Sequence, residues 1–246
     1  MQLTILGCYG PYPPAGGACS GYLLREEEYN LLIDCGNGVL SRLQEHIDFR
    51  DLNAVLLSHL HPDHYSDVMI MRYGLVMARN SGRFSEPLKI YAPPEPEEEF
   101  ERLPYKDIYS VQPIGPDQAL ELGPFTIETT AVLHAVPGIA LRIKSASGTL
   151  VYSGDTEYFQ GLENFACEAD LLLCEANYQD LDITNNLPNH ISAGQAARTA
   201  ASAQAKRLLL THHHPGRDQD VSRVEAENHY PGVEMAVEGE TYIIST

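Results

Sequence analysis

The chain has 246 residues, and 16 Lys+Arg against 34 Asp+Glu give a formal charge of −18. That balance argues against a long polyanion as partner, because phosphate binding needs Lys and Arg to replace counterions. A hydrophobic fraction of 43% excludes general disorder, and no run of about 18 apolar residues is present to cross a membrane.

The first half reads as strands with few helices. Residues 2–6 are a short apolar strand running into the loop GCYGPYPPAGGA, whose Pro and Gly exclude helix and suit the rim of a pocket. Residues 20–25 and 29–34 form a hairpin across Glu26, Glu27 and Glu28, followed by a GNG turn and the short amphipathic stretch VLSRLQEH. NAVLLS at 53–58 is a buried strand. Asp67 to Arg79 carries helical periodicity through Val68, Met71, Leu75 and Val76. LKIYA at 88–92 is a strand, and the acidic, proline-broken 92–104 is a solvated loop or short surface helix. The second half opens with strands at 109–114, 119–122, 124–133, 138–144 and 148–153. A short helix near 159–166, a strand at 170–175, an Ala-rich helix at 192–205, a strand at 206–211 and a helix at 218–229 complete it.

The halves echo each other. NLLID ends in Asp34, and NAVLLS then ends just before His59. TLVYSGD ends in Asp155, and KRLLLT then ends just before His212. We expect a single domain over 1–246 with two related halves, roughly 1–115 and 116–246, and polar side chains at corresponding strand ends. Ligands in α/β architectures gather at such ends. Cys8, Cys19, Cys35, Cys167 and Cys174 form neither a disulfide framework nor a CxxC site, and MQLTILGCYG lacks the marks of a secretory signal. A cytoplasmic protein with reduced thiols is expected.

The strongest local signal is Ser58-His59-Leu60-His61-Pro62-Asp63-His64, with three imidazoles and a carboxylate directly after a buried strand. His59 and His61 can point one way, and Asp63 and His64 another as the chain enters the next helix. Zinc wants four partners, so either pair alone starves one ion. Two adjacent ions, each completed from elsewhere in the chain, is the economical solution.

HLHPDH resembles the HxHxDH signature of the metallo-β-lactamase superfamily, and the likeness runs through the whole chain in order. It implies an α/β fold, a four-layer αβ/βα sandwich, with metals at the edge between two sheets. It further implies that His59, His61 and His134 hold one metal and that Asp63, His64 and His212 hold the other, with Asp155 bridging. His212 is preferred to His213 and His214 because it directly follows the strand. Asp34 resembles a supporting aspartate of the family, and Asp67 either orients a ligand or caps the helix that starts there. His46 and His229 are surface residues.

Two further motifs narrow the branch. Leu171 to Asn177 resembles the HEAT segment of ribonuclease Z-like phosphodiesterases. Asn189-His190-Ile191-Ser192-Ala193 resembles that group's His-containing loop. The likeness assigns His190 as general acid, with Glu175 as its partner, and Asp63 or Asp155 can orient the nucleophile while serving as a ligand. Cys174 and Asn177 depart from the motif's His and Thr. The arm that grips tRNA in ribonuclease Z would lie between His134 and Asp155, where only a hairpin's length remains.

The resemblance therefore implies a hydrolase with two divalent metal ions, zinc by default and manganese or iron admitted by the carboxylates. The expected substrate is a small or cyclic phosphate ester cleaved as a phosphodiester, with no membrane or long nucleic-acid partner and a homodimer left open. The rival readings are a lactonase or thioesterase of the same fold, a tRNA 3′-processing endonuclease, and a metal-binding sensor or scaffold without turnover.

Overall fold

The structure, a computed structural model, describes residues 1–185 and 187–246. In chain order the first half places β1 (Gln2–Gly7), β2 (Gly21–Glu26), β3 (Tyr29–Ile33), α1 (Val39–Leu43), β4 (Ala54–Leu56), α2 (Pro62–Tyr65), α3 (Val68–Asn80), β5 (Leu88–Ala92), α4 (Glu97–Glu101) and β6 (Tyr109–Pro113). The second half places β7 (Ala119–Leu122), β8 (Phe125–Ala131), β9 (Ile139–Lys144), β10 (Thr149–Tyr152), α5 (Gln160–Phe165), β11 (Leu171–Glu175), α6 (Asp180–Thr184), α7 (Ala193–Ser202), β12 (Leu208–Thr211), α8 (Gln219–Glu227), β13 (Glu234–Met235) and β14 (Thr241–Ile243).

Two seven-stranded sheets result, in the orders β14-β1-β2-β3-β4-β5-β6 and β13-β12-β11-β10-β9-β8-β7. Each is antiparallel on one side and parallel on the other, with the change at β3 in the first sheet and β10 in the second. One strand crosses the midpoint of the chain: β14 returns to pair with β1. The echo between the strands before His59 and His212 is also shifted. By sheet order β4 corresponds to β11, which ends in Glu175, and β12 lies one strand farther out.

Three apolar layers explain the sandwich. Leu3, Ile5, Tyr22, Leu31, Phe125, Leu141 and Leu173 fill the space between the sheets. Leu23, Leu32, Val55, Val68, Met71 and Leu75 join the first sheet to its helices. Leu172, Leu208 and Leu210 join the second sheet to the Ala193, Ala196, Ala197 and Ala200 stripe of α7. The parallel strands β4, β11 and β12 are buried throughout, as strands covered on both faces must be. No helix of the described residues is long and apolar enough to cross a membrane.

Candidate metal centre

The site forms where the two sheets meet at the ends of β3, β4, β10, β11 and β12. After β4 the chain runs extended, and the Ser58 carbonyl accepts from the Ile139 amide at the start of β9 (2.9 Å), which ties the sheets together beside His59. His61 is extended and Pro62 opens α2. Proline suits a first helical turn because it lacks an N–H that would be unsatisfied there anyway. That one turn redirects the chain, so His59 and His61 face one point and Asp63 and His64 another.

At the first point, His61 Nδ1 lies 3.1 Å from His59 Nε2 and 3.0 Å from His134 Nε2. At the second, His212 Nε2 lies 3.3 Å from His64 Nε2 and 3.3 Å from Asp63 Oδ2. Asp155 Oδ2 reaches both groups: it is 3.3 Å from His64 Nε2 and His212 Nε2, and 3.8 Å from His59 Nε2. The structure thus brings all seven sequence-predicted ligand residues together.

Several observations fit divalent ions. Nitrogens about 2.0–2.1 Å from a shared zinc stand a little over 3 Å apart, which matches the first trio. Asp155 Oδ1 is buried without a hydrogen-bond partner among the described residues, a costly arrangement unless a cation is near. The surrounding groups also fix the ring tautomers. His59 Nδ1 meets Ser58 Oγ (3.1 Å), His64 Nδ1 donates to Asp34 Oδ2 (2.8 Å), and His134 Nδ1 donates to the Asn189 carbonyl (2.8 Å). Each bond leaves Nε2 with a lone pair directed inward.

Asp34 is wholly buried and also accepts from the Ser58 amide and hydroxyl and from the Tyr152 hydroxyl. Tyr152 packs edge-on against Tyr22, whose hydroxyl meets Thr211 Oγ1, so a polar thread crosses the inter-sheet core beneath the site. Asp34, Asn189 and His212 all hold a left-handed φ although none is glycine. Asp67 stands at the N-cap position of α3, but among the described residues its carboxylate makes no capping bond there and accepts instead from the Leu40 amide at α1. The 9–17 loop backs the second trio. Asn177 Nδ2 donates to the carbonyls of Gly10 and His212, and a Cβ on Gly10 would stand 1.8 Å from His212 Nε2.

Glu175 ends β11 fully buried, and its carboxylate accepts from the Thr156 and Asn177 amides and meets His190 Nδ1 at 3.0 Å. Burial works against charge on His190, but Glu175 overcomes it, with Asp155 and Asp63 adding, and holds the ring up to about 9. Burial likewise disfavours charge on His64, yet Asp155, Asp63 and Asp34 hold it well above the ordinary range. Burial, then His64, pushes His59 well below it. The pattern is that of carboxylates gathered around a place for positive charge.

His213 is buried, its Nε2 has no partner among the described residues, and burial followed by His212 pushes it down to about 4, while His214 packs edge-on against Tyr12. His229 is exposed and His46 is partly so. Ser58, Tyr152, Asn177 and Asn189 are supports that the sequence alone does not assign. Ser58 and Asn189 adjoin predicted site residues, a usable signal. Tyr152 is a core aromatic until its hydroxyl is seen to reach Asp34.

A sequence profile described as the beta-lactamase superfamily domain matches residues 29–213. The probable metallo-hydrolase YhfI of Bacillus subtilis is 39% identical over 213 residues, 86% of each chain. The crystal structure of that metallo-beta-lactamase fold protein superposes with a TM-score of 0.94 at 37% identity, covering 98% of each chain. A ribonuclease Z of Nocardia farcinica is 27% identical over 96% of this chain and 95% of its own. The profile match, the YhfI identity and the paired His/Asp clusters at the junction of the sheets agree: the chain belongs to the beta-lactamase superfamily and is a metallo-hydrolase with the metallo-β-lactamase fold.

Proposed function

We propose that this protein is a phosphodiesterase acting on small or cyclic phosphate esters with two divalent ions, zinc by default. The observation that carries the reading is the Glu175–His190 pair beside the two metal-type clusters. It supplies a proton donor for a strongly basic leaving alkoxide. His59, His61 and His134 would hold one ion and Asp63, His64 and His212 the other, with Asp155 within reach of both groups. When bound, such ions offset charge on the phosphoryl oxygens and bring the pKa of water toward about 7.

Asp63 turns Oδ2 toward His212, while Oδ1 makes no hydrogen bond among the described residues and is free to orient the attacking water. The water oxygen forms a bond to phosphorus as the P–O bond to the alcohol breaks, and the proton the water gives up passes to solvent, from which His190 is reprotonated for the next turnover. His190 Nδ1 is committed to Glu175, so Nε2 is the nitrogen that donates its proton to the departing oxygen. Between His134 and Asp155 the chain is spent on β9, β10 and their short connections. That supports a small ester over tRNA.

A panel of a phosphodiester, a lactone and a thioester tests the reading. Hydrolysis of bis(p-nitrophenyl) phosphate that chelation abolishes and zinc, manganese or iron restores is expected. Turnover of the lactone or thioester alone would make it a carbon-centred hydrolase. Two bound ions with no turnover of any ester would make it a sensor or scaffold.

A further inference from the structure

A cavity of about 260 Å³ opens beside His190, lined by Glu157, Tyr158, Ile183, Leu187, Pro188 and Gln195. Its surface is mixed. Leu187 and Tyr158 stay 42% and 39% exposed although apolar. Glu157 Oε1 accepts from the Asn189 amide (2.8 Å), and Gln195 Oε1 accepts from the Ser192 amide (3.1 Å), which leaves the Gln195 amide nitrogen free to donate. We infer that this cavity is the subsite for the leaving alcohol, and that it selects an alcohol of about nucleoside size with an apolar body and hydrogen-bonding edges.

The inference rests on the phosphodiesterase reading and follows from where His190 stands. The ring adjoins the seven-residue metal-type cluster, with Asp155 Oδ2 4.0 Å from Nδ1 and the His212 ring stacked 5.4 Å away. His190 also lines the cavity, whose other walls include none of the seven cluster residues. Glu175 occupies Nδ1, so the proton is delivered from Nε2. The oxygen that receives it must lie within hydrogen-bond reach of that atom, and its carbon substituent must then fill the space His190 borders. The retained phosphoryl group faces the clusters. Apolar side chains left half-exposed beside polar edges are what a small-molecule pocket presents.

Methyl uridine 5′-phosphate tests this, because the same phosphorus can expel either arm. The reaction adds water and yields uridine with methyl phosphate, or methanol with uridine 5′-phosphate. The wild-type protein is expected to release chiefly uridine. L187W, at a half-exposed position, fills the cavity and should shift the product ratio toward methanol by about tenfold or more, the scale of a pocket mismatch. Y158A removes another part of the lining and should weaken the preference without filling the space. Calorimetric titration of the metal-loaded protein with uridine gives a readout apart from turnover, and L187W should weaken binding by a similar factor. An unchanged product ratio in L187W, or uridine affinity that is absent or the same in both proteins, overturns the subsite. Failure to cleave either arm, or any other diester, overturns the phosphodiesterase reading beneath it.

Discussion

At the residue scale the decisive question is what His190 does. A p-nitrophenolate departs without help near neutral pH, whereas an alkyl alkoxide cannot leave without a proton. His190→Ala should therefore lose on the order of 10²–10⁴ in kcat on an alkyl diester and much less on the nitrophenyl ester. Glu175→Gln should show the same leaving-group pattern more weakly, since Glu175 holds the ring's charge up. Both variants must be compared at equal metal content, and equal losses on the two esters would assign His190 a structural role. Gly10 makes a different prediction. A Cβ there would meet the His212 ring at 1.8 Å from Nε2, so Gly10→Ala should displace that ring. Metal analysis should find the stoichiometry falling from about two ions per chain toward one. Two tightly held ions in that variant would show that the loop yields instead.

At the element scale, short connections aim the chemistry. α2 is four residues long, yet it separates the two metal-type clusters. The sequence showed that Asp63 and His64 enter a helix but not that this is a separate turn ending before α3. The loop bearing His190 is held by α7: Ser192 caps the helix by accepting from the Gln195 amide and donates to Asp180 Oδ1. Ser192→Ala should cost about 1 kcal/mol as a lost cap, lowering Tm by about 2–4 °C. It should also reduce kcat on alkyl diesters, because His190 lies two residues before the cap. A Tm unchanged within a degree would deny the cap its role. Elements that sequence reading missed, among them α6, β13 and β14, are two to five residues long. Periodicity needs more residues than that to show itself.

At the scale of the whole molecule, charge and metal content set the expectations. A chain with a charge of −18 and no arm between His134 and Asp155 should bind precursor tRNA weakly, with any binding falling steeply as salt rises. Site-specific cleavage of a precursor tRNA at physiological salt would contradict this. Ions that bind only the folded chain stabilise it by mass action, about 2.7 kcal/mol at a hundredfold excess over Kd. Removing them should lower Tm by roughly 5–10 °C. The effect should be reversed by zinc, and a scan indifferent to chelator would show that the clusters do not hold metal in the folded protein.

What the sequence by itself determined is chemistry tied to neighbouring residues. His59, His61, Asp63 and His64 lie within one short segment, and buried strands ending at Asp34, Asp155, Glu175 and His212 are visible as apolar runs that stop at a polar side chain. Only the tertiary structure decided what depends on separation in the chain. That Asn189 orients His134 across 55 residues, that Tyr152 joins Asp34 across 118, and that β14 crosses back to β1 are results of packing two sheets face to face. The correspondence of β4 with β11 rather than β12 was hidden for the same reason. Strand order is fixed by which apolar faces cover one another, and a single strand's pattern of residues carries no record of its neighbour.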